Sequence, residues 1–549
     1  MKYSSLLIAA ALATLALGSA RAADYQWSVQ LTGVSSGETP EPPRAFLWVP
    51  PQCRQIRAVI VGQHNMEEEP ILENASFRKA MSDLGVAEIW VTPGFQLQFN
   101  YDLGAGEAFD AMMKALAEES GYGELQFAPV IPIGHSAAAS FPWNFAFWNP
   151  CRALASVSVS GQWPFYKASD QPNFENRSID GVPGLVTMGE YEDAYGRAGE
   201  GLRQRNEHPK MALSAFQEPG AGHFDASQSK IDYIALYIKK AMQYRLPAAA
   251  SLNGPVQLTP IDPEKQGWMM DRWRKNDAPT ASAAPVGKYT GNAKDAFWFF
   301  DEELVRATEQ LEAVDRGKKV DVLGYVQEGK VVEQNPKLHA QVRLRFLPES
   351  DGITFKLTTQ FVDTVPEGRP EGWTGLPKGS PVGHASGGGS IGIERICGPV
   401  KKLSPDTFSL RFYRMGTTNV KRSNDIWLFA SHPGDAEYRR VVQQSQMGIA
   451  LRNTTGADQK ITFDAVPNQS AGVVSLKLHA TSSAEVPVYF YVREGPAEVD
   501  DSGKLTFTPI PPRAKFPVKV TVVAWQYGRG SEPKLKTADP VEQTFLLTK

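Results

Sequence analysis

Between residue 24 and about residue 245, short apolar runs alternate with stretches of helical period. "RAFLWVP" (44–50), "RAVIVGQ" (57–63), "AEIWVTPGF" (87–95) and "APVIPIGHS" (128–136) read as strands. So do "ALASVSVSG" (153–161), "PGLVTMGE" (183–190) and "MALSAFQEPG" (211–220). Between them, "FRKAMSDLG" (77–85) keeps its apolar positions on one helical face and ends on Gly85. "GEAFDAMMKALAEESG" (106–121) does the same and closes on Gly121. "AAASFPWNFAFW" (137–148) reads as helical with Pro142 in its first turns, and "QSKIDYIALYIKKAM" (228–242) reads as a closing helix. Near-continuous apolar strands alternating with helices predict a parallel sheet covered on both faces.

The pattern then changes. "APTASAAPVG" (278–287) is a small-residue linker, and "AKDAFWFFDEELVRATEQLEAV" (293–314) reads as a helix whose aromatic end docks back on the first domain. From residue 318 onward the chain shows short alternating strands between turn clusters: "HAQVRLRFLP", "GITFKLTTQF", "DTFSLRFYRM" and "DIWLFAS". A last unit carries "VVSLKLHATS", "PVYFYVREG", "GKLTFTPI" and "PVKVTVVAWQYG", which suggests an immunoglobulin-like sandwich. The expected division is a leader at 1–22, an α/β domain at 23–317, a β-sandwich-like domain at 318–460 and an immunoglobulin-like domain at 461–549.

The leader rests on Lys2, the apolar "LLIAAALATLALGSA" and a small-x-small site at Ala20-Arg21-Ala22. It predicts export to the periplasm or the extracellular space. No later segment has the run of about 18 apolar residues a membrane span needs. A net charge of −3 over 549 residues argues against a nucleic-acid partner, which would need a basic surface. The cysteines are Cys53, Cys151 and Cys397, too few for a disulfide framework. Cys53 and Cys151 each precede an apolar strand, so pairing is one reading and separate thiols the other; Cys397 reads as a buried thiol. Sequons starting at Asn74, Asn176, Asn453 and Asn468 are taken as chance matches behind a leader of bacterial type.

The chemistry-bearing stretch is Gly134-His135-Ser136-Ala137-Ala138. A strand that turns sharply into a helix here projects a serine hydroxyl from the sheet edge, and the Ala137 N–H then points at a developing oxyanion. On its own the stretch fits a helix N-cap serine equally well. A nucleophile needs a base held by an acid, in the chain order serine, acid, histidine. "LVTMGEYEDAYG" supplies Glu190, Glu192 and Asp193 after a strand, and "PGAGHFD" supplies His223 in a glycine-rich loop before a helix.

On "PIGHSAA", "LVTMGEYED" and "PGAGHFD", residues 24 to about 245 resemble the α/β-hydrolase superfamily. The resemblance implies an α/β-hydrolase fold, followed by the all-β domains read from the strand pattern, and a triad of Ser136, His223 and an acid. The family's Gly-x-x-Asp becomes Gly189-Glu190-Tyr191-Glu192, which points to Glu192, with Asp193 and then Glu190 as the other acids. By analogy the second oxyanion donor is the backbone of His64 or Asn65 in "VGQHNMEEEP", and His135 packs beside the nucleophile. His64 is also a rival base.

His208, His339, His384, His432 and His479 show no ligand spacing, so neither a metal nor another cofactor is expected. "GGGSIG" (387–392) matches a nucleotide-loop pattern but runs into a strand, and so reads as a loop. The short connection at 161–181 predicts no large lid and an open cleft. Trp163, Phe165 and Tyr166 are the expected substrate-stacking residues, with Trp143 and Trp148 in the core. Arg411, Arg414, Lys421 and Arg422 are either a solvated face or a contact for an acidic glycan. The expectation is an exported serine esterase that removes acetyl or aryl-acyl groups from polysaccharides. Its alternatives are a peptidase on the same fold and a non-catalytic glycan-binding protein.

Overall fold

The structure is a computed structural model that describes residues 25–36, 38–249, 251 and 253–549. The leader expected at 1–22 lies outside the described residues. In chain order the first region runs β1 (Trp27–Gln30), β2 (Arg44–Trp48), β3 (Ala58–Gln63), α1 (Glu68–Leu72), α2 (Ala75–Leu84), β4 (Val86–Thr92) and α3 (Ala105–Ser120). It continues with β5 (Val130–His135), α4 (Phe141–Trp148), β6 (Ser156–Val159), β7 (Pro183–Gly189), α5 (Ala194–Glu207), β8 (Ala212–Glu218) and α6 (Gln228–Arg245).

The strands form an eight-stranded sheet in the order β1-β2-β4-β3-β5-β6-β7-β8. β1, β2 and β4 pair antiparallel; β4-β3-β5-β6-β7-β8 are parallel throughout. Every residue of β3 to β8 is buried, as expected of a parallel sheet covered on both faces. This is the α/β-hydrolase fold that the motif resemblance implied. The chain steps from β3 to β4 and then jumps back across β3 to β5. The order therefore reverses at the carboxyl ends of β3 and β5, where an open α/β sheet leaves a crevice.

Local chemistry starts and stops the helices. Asn74 caps α2 by accepting from the N–H groups of Ser76 and Phe77, and Gly85 ends it at φ +71°. That cap gives the first sequon a structural role. Asp301 caps the helix Glu302–Ala313 (α7), so "AKDAFWFFDEEL" is not one helix. Its aromatic half, Ala296–Phe299 (β11), is a strand that pairs antiparallel with β9 (Trp268–Asp271). Alternating aromatic residues prefer a pleated surface, and the cap delays the helix to Glu302. The docking part of the expectation holds: Phe297, Trp298 and Phe299 are buried, and Phe297 stacks on Trp163 at 5.5 Å. Part of the linker, Ala284–Pro285 (β10), also pairs with β9.

The remainder is all-β. "GITFKLTTQF" divides between two sheets, with Thr354–Lys356 pairing to Thr407–Leu410 and Thr358–Phe361 to Leu323–Gln327. A four-stranded sheet holds Arg343–Arg345, Val441–Gly448, Asp425–His432 and Gly392–Cys397. The last segment centres on Val518–Trp525, flanked by Tyr489–Glu494 and Val541–Thr548. It packs on the edge of the large sheet: Tyr25 bridges Gly495, and Lys515 donates to the Ser120 carbonyl at 2.9 Å. Edge strand β1 is thus covered rather than left open.

Two of the basic residues read as a solvated or glycan-facing patch, Arg414 and Arg422, are neither, whereas Lys421 is exposed and Arg411 is half-buried on Asp501. Arg422 is buried on Glu38 at 2.9 Å, and Arg414 is buried on Glu73. Arg395 reaches Glu69 at 2.7 Å, so the acidic run after β3 meets cations of the β-rich segment. Cys53 and Cys151 are separate thiols, and Cys397 is buried beside the Met66 sulfur. Among the described residues no helix is long and apolar enough to cross a membrane.

Arg439 is fully buried on Glu190 at 2.6 Å across this contact. Removing one partner of a buried pair typically costs about 3 kcal/mol or more. Lys275, at 3.0 Å from Glu190, offsets part of that loss. Arg439→Met is expected to lower stability by roughly 2–3 kcal/mol in guanidinium denaturation, with Arg439→Lys falling in between.

Candidate active site

β5 ends at His135, and Ser136 sits in the left-handed region at φ +52°. A non-glycine residue held there is strained, and such strain concentrates at functional turns. A 3-10 turn (Ser136–Ala138) leads into α4, which carries Pro142 in its first turn. The turn is so tight that a Cβ on Gly134 would collide with the Ala138 carbonyl oxygen. Ser136 caps no helix; its hydroxyl points instead to His223 Nε2 at 2.7 Å. Ser136 is half-buried and Ala137 exposed, so the nucleophile position faces solvent on one side.

His223 Nδ1 lies 2.6 Å from Glu192 Oε2, which completes a Ser136–His223–Glu192 relay. The two loops that carry the acid and the histidine are themselves joined, the Tyr191 N–H donating to the Ala221 carbonyl at 3.0 Å. The glycines of "PGAGHF" are needed because the β-rich segment comes in close. A Cβ on Gly220, already at φ +65°, would strike the Arg440 carbonyl.

The other acids have different employment. Glu190 is buried, accepting from the Gly220 N–H at 2.9 Å and pairing with Arg439. Asp193 caps α5, accepting from the Gly196 N–H at 3.1 Å. Only Glu192 faces the imidazole among these three.

The oxyanion expectation needs correction on one side. The Ala137 N–H stands in the first turn of its 3-10 segment, where amide donors lack intrahelical acceptors. The His64 N–H is spent on the Val91 carbonyl at 2.7 Å, and the Asn65 N–H on Glu68 Oε2 at 3.2 Å. The Asn65 amide donates to the His135 carbonyl at 2.7 Å and accepts from Arg422. Neither residue is an open donor here. Burial holds the His64 imidazole well below its ordinary range, and its Nδ1 meets Thr92 Oγ1 at 3.0 Å, so it is no rival base. His135 does pack beside the site, its ring 5.0 Å from His223 and its Nε2 on the His223 carbonyl at 2.9 Å.

Glu68 explains much of this order. One buried carboxylate accepts from the N–H groups of Asn65, Met66 and His135, the last at 2.6 Å. It ties the loop after β3 to the end of β5. Burial pushes the Glu68 carboxyl up to about 7 in spite of those donors.

The aromatic expectation is also revised. Trp163 is 5% exposed, stacked on Phe297 and donating to the Arg197 carbonyl at 2.8 Å. Phe165 packs against Phe147, Phe174 and His208. Trp163 lies in the seam under β11, whose docking closes the surface the sequence left open, while Phe165 packs within the α/β region. Tyr166 is 41% exposed. Trp143 is core as expected; Trp148 is half-buried against Phe99, Phe109 and Phe145.

Nor is the crevice lined by the α/β region alone. His339 stacks on His223 with ring centroids 4.0 Å apart, and its Nε2 is 3.7 Å from Glu192 Oε1. Arg369 Nη1 reaches the same oxygen at 3.3 Å. Phe224, next to His223, packs on His339 and on Trp427. Sequence reading passed over His339 and Arg369. They lie far downstream in "PKLHAQV" and "EGRPEGW", with no local pattern to mark them.

Glu192, His223 and His339 bring ligand-type atoms within 4.8 Å of one another. Yet both His223 nitrogens are taken by Glu192 and Ser136, and Glu192 also carries Arg197 and Arg369. Two guanidinium groups on the only carboxylate disfavour a cation, so the donor set fits a proton relay better than a metal cage. Burial opposes charge on Glu192, but the hydrogen bond from His223 and the contact with His339 outweigh it and hold the carboxyl well below the carboxylate range. Burial pushes the His223 imidazole down to about 4, against the pull of Glu192 and with help from His339 and Arg197. At neutral pH the pair is therefore a neutral base beside a charged acid.

No family model matches the chain, and no curated protein matches it. Among solved structures it is similar to poly(aspartic acid) hydrolase-1 from Sphingomonas sp. KT-1, with 11% identity over 39% of this chain and 99% of that one and a TM-score of 0.30. A dienelactone hydrolase from Anabaena variabilis ATCC 29413 matches at 16% identity over 40% of this chain and 98% of that one, TM-score 0.28. Est1E from Butyrivibrio proteoclasticus matches at 13% identity over 40% and 98%, TM-score 0.25.

Glu68→Ala leaves buried N–H groups at Asn65, Met66 and His135 without an acceptor. Each such group costs about 1–3 kcal/mol, so the variant is expected to lose roughly 3 kcal/mol in chemical denaturation, with a lower melting temperature.

Proposed function

We propose that the protein is a serine ester hydrolase that works through an acyl-enzyme. The observation that carries this reading is the unbroken line Ser136 Oγ–His223 Nε2, His223 Nδ1–Glu192 Oε2, at 2.7 and 2.6 Å, set on a strained turn. Ser136 Oγ attacks the ester carbonyl carbon while His223 Nε2 takes its proton. Glu192 accepts the Nδ1–H bond and stabilises the imidazolium that forms. The negative charge on the carbonyl oxygen meets the Ala137 N–H. The C–O bond to the alcohol breaks as His223 returns the proton to the leaving oxygen. Water, deprotonated by the same imidazole, then releases the acid and restores Ser136.

As substrate class we propose acetyl or aryl-acyl esters carried on polysaccharides. The reading is supported by the solvent-facing Ser136–Ala137 turn and by the short connection between β6 and β7, which builds no helical lid. The basic, apolar and small-x-small order of the first 22 residues supports export.

Hydrolysis of p-nitrophenyl acetate tests the reaction class. Wild type should turn it over and Ser136→Ala should not. Glu192→Gln should lower kcat by roughly 10³–10⁴-fold, whereas Asp193→Ala should stay within a few-fold and lose about 1 kcal/mol of helix capping. Cleavage of peptide anilides with no ester hydrolysis would move the reading to a peptidase.

The pH profile follows from His223. Only the neutral imidazole accepts the proton, and its affinity for protons is depressed to about 4. The acid limb of kcat/KM should therefore fall near pH 4, not near the ordinary histidine value of about 6.5.

A further inference from the structure

Glu192 is shared between two parts of the chain. Its Oε2 faces His223 and Arg197, both from the α/β region; its Oε1 faces Arg369 and His339, both from the β-rich segment. Arg369 opens a short helix, Arg369–Thr374, that is clipped to the acid loop itself. Trp373 of that helix stacks on Tyr191 at 4.6 Å and lies 3.3 Å from the Tyr191 carbonyl through its indole N–H. Tyr191 is the residue before Glu192. A second tie holds the histidine loop, where the Phe224 N–H donates to Gln444 Oε1 at 2.6 Å. His339 lies nearly parallel to the His223 ring, at 25°, and covers that face, while His339 itself remains 45% exposed.

These contacts do different work from the buried ion pairs elsewhere between the two parts. A carboxylate with partners on one oxygen only can rotate about its terminal torsion, which is broad. Partners on both oxygens fix the plane, and with it the line from Oε2 through the imidazole to Ser136. A ring stacked on His223 keeps water from that face and limits the ring's tilt.

We infer that His339 and Arg369 are positioning residues of the Ser136–His223–Glu192 site, so that the β-rich segment completes the active site and is not an appended binding module. The inference rests on the serine-hydrolase reading for its catalytic consequence, but the geometry it describes is measurable without turnover. The charged or titratable groups facing the His223–Glu192 pair are Arg197 from α5, His135 from the end of β5, and His339 and Arg369 from the β-rich segment.

The test uses the full chain and the variants His339→Ala, Arg369→Ala and Arg369→Lys. One readout is the rate of Ser136 labelling by a fluorophosphonate across the pH range. The other is the downfield Nδ1–H proton of His223, followed by NMR in protein labelled with ¹⁵N-histidine. Both alanine variants should label roughly 10–100-fold more slowly at unchanged melting temperature, as small misplacements of reacting groups do. Their acid limbs should move to higher pH, because a positive neighbour or a ring cover has been removed from His223. Arg369→Lys should recover most of the rate. In both alanine variants the Nδ1–H signal should broaden through faster exchange. Wild-type rates and profiles in the alanine variants would overturn the inference. So would an equal loss in Arg369→Lys and Arg369→Ala accompanied by a fall in melting temperature. If the wild type itself is not labelled at Ser136, the hydrolase reading fails, and the Nδ1–H signal still decides: unchanged sharpness in the alanine variants overturns the positioning role.

Discussion

One largely enclosed carboxylate, Glu192, is the constraint on which the site depends. A charge in that position is costly unless every lone-pair direction is answered. Here the answers come from His223, Arg197, Arg369 and His339, which lie on separate elements. The turn after β7, the glycine-rich loop before α6 and the β-rich segment must therefore arrive together. The burial that makes Glu192 demanding also depresses the basicity of His223, so the same packing that assembles the relay sets its protonation state.

A second constraint works on the opposite side of Ser136. Gly134 allows the chain to reverse at Ser136, and Glu68 binds the loop after β3 to the end of β5 through three backbone N–H groups. The neighbouring acids serve the same purpose at longer range. Glu67 pairs with buried Lys230 at 3.1 Å, and Asp225 with Arg440 at 2.5 Å. Of the acidic run after β3, Glu67 and Glu68 bind within the α/β region, and Glu69 anchors the β-rich segment through Arg395 at 2.7 Å.

Much of the candidate site was legible because its signals are local. A strand, a glycine, a serine and a helix with Pro142 in its first turn are adjacent in sequence. So are the strand and acid at Gly189–Glu192, and the loop and helix around His223. Their order along a parallel sheet dictates that they meet at one edge. Most of the misreadings share one cause, the docking of distant segments. Trp163 follows a strand end, where a ligand would bind in an open sheet, but β11 covers it with Phe297. Arg414 and Arg422 look solvated until Glu73 and Glu38 are brought to them. His339 and Arg369 carry no motif, since their role is defined only by a carboxylate more than a hundred residues upstream. The backbone donors at His64 and Asn65 were assigned by analogy, and the local hydrogen bonds of the loop had already used them.

The most direct measurement is a crystal structure of the protein after reaction with a p-nitrophenyl alkylphosphonate, whose tetrahedral phosphorus mimics the first intermediate. The expected result is phosphorus bonded to Ser136 Oγ, a phosphonyl oxygen accepting from the Ala137 N–H, and His339 still stacked on a His223 that keeps Glu192 on its Nδ1. An unmodified Ser136, or an adduct on another residue, would contradict it.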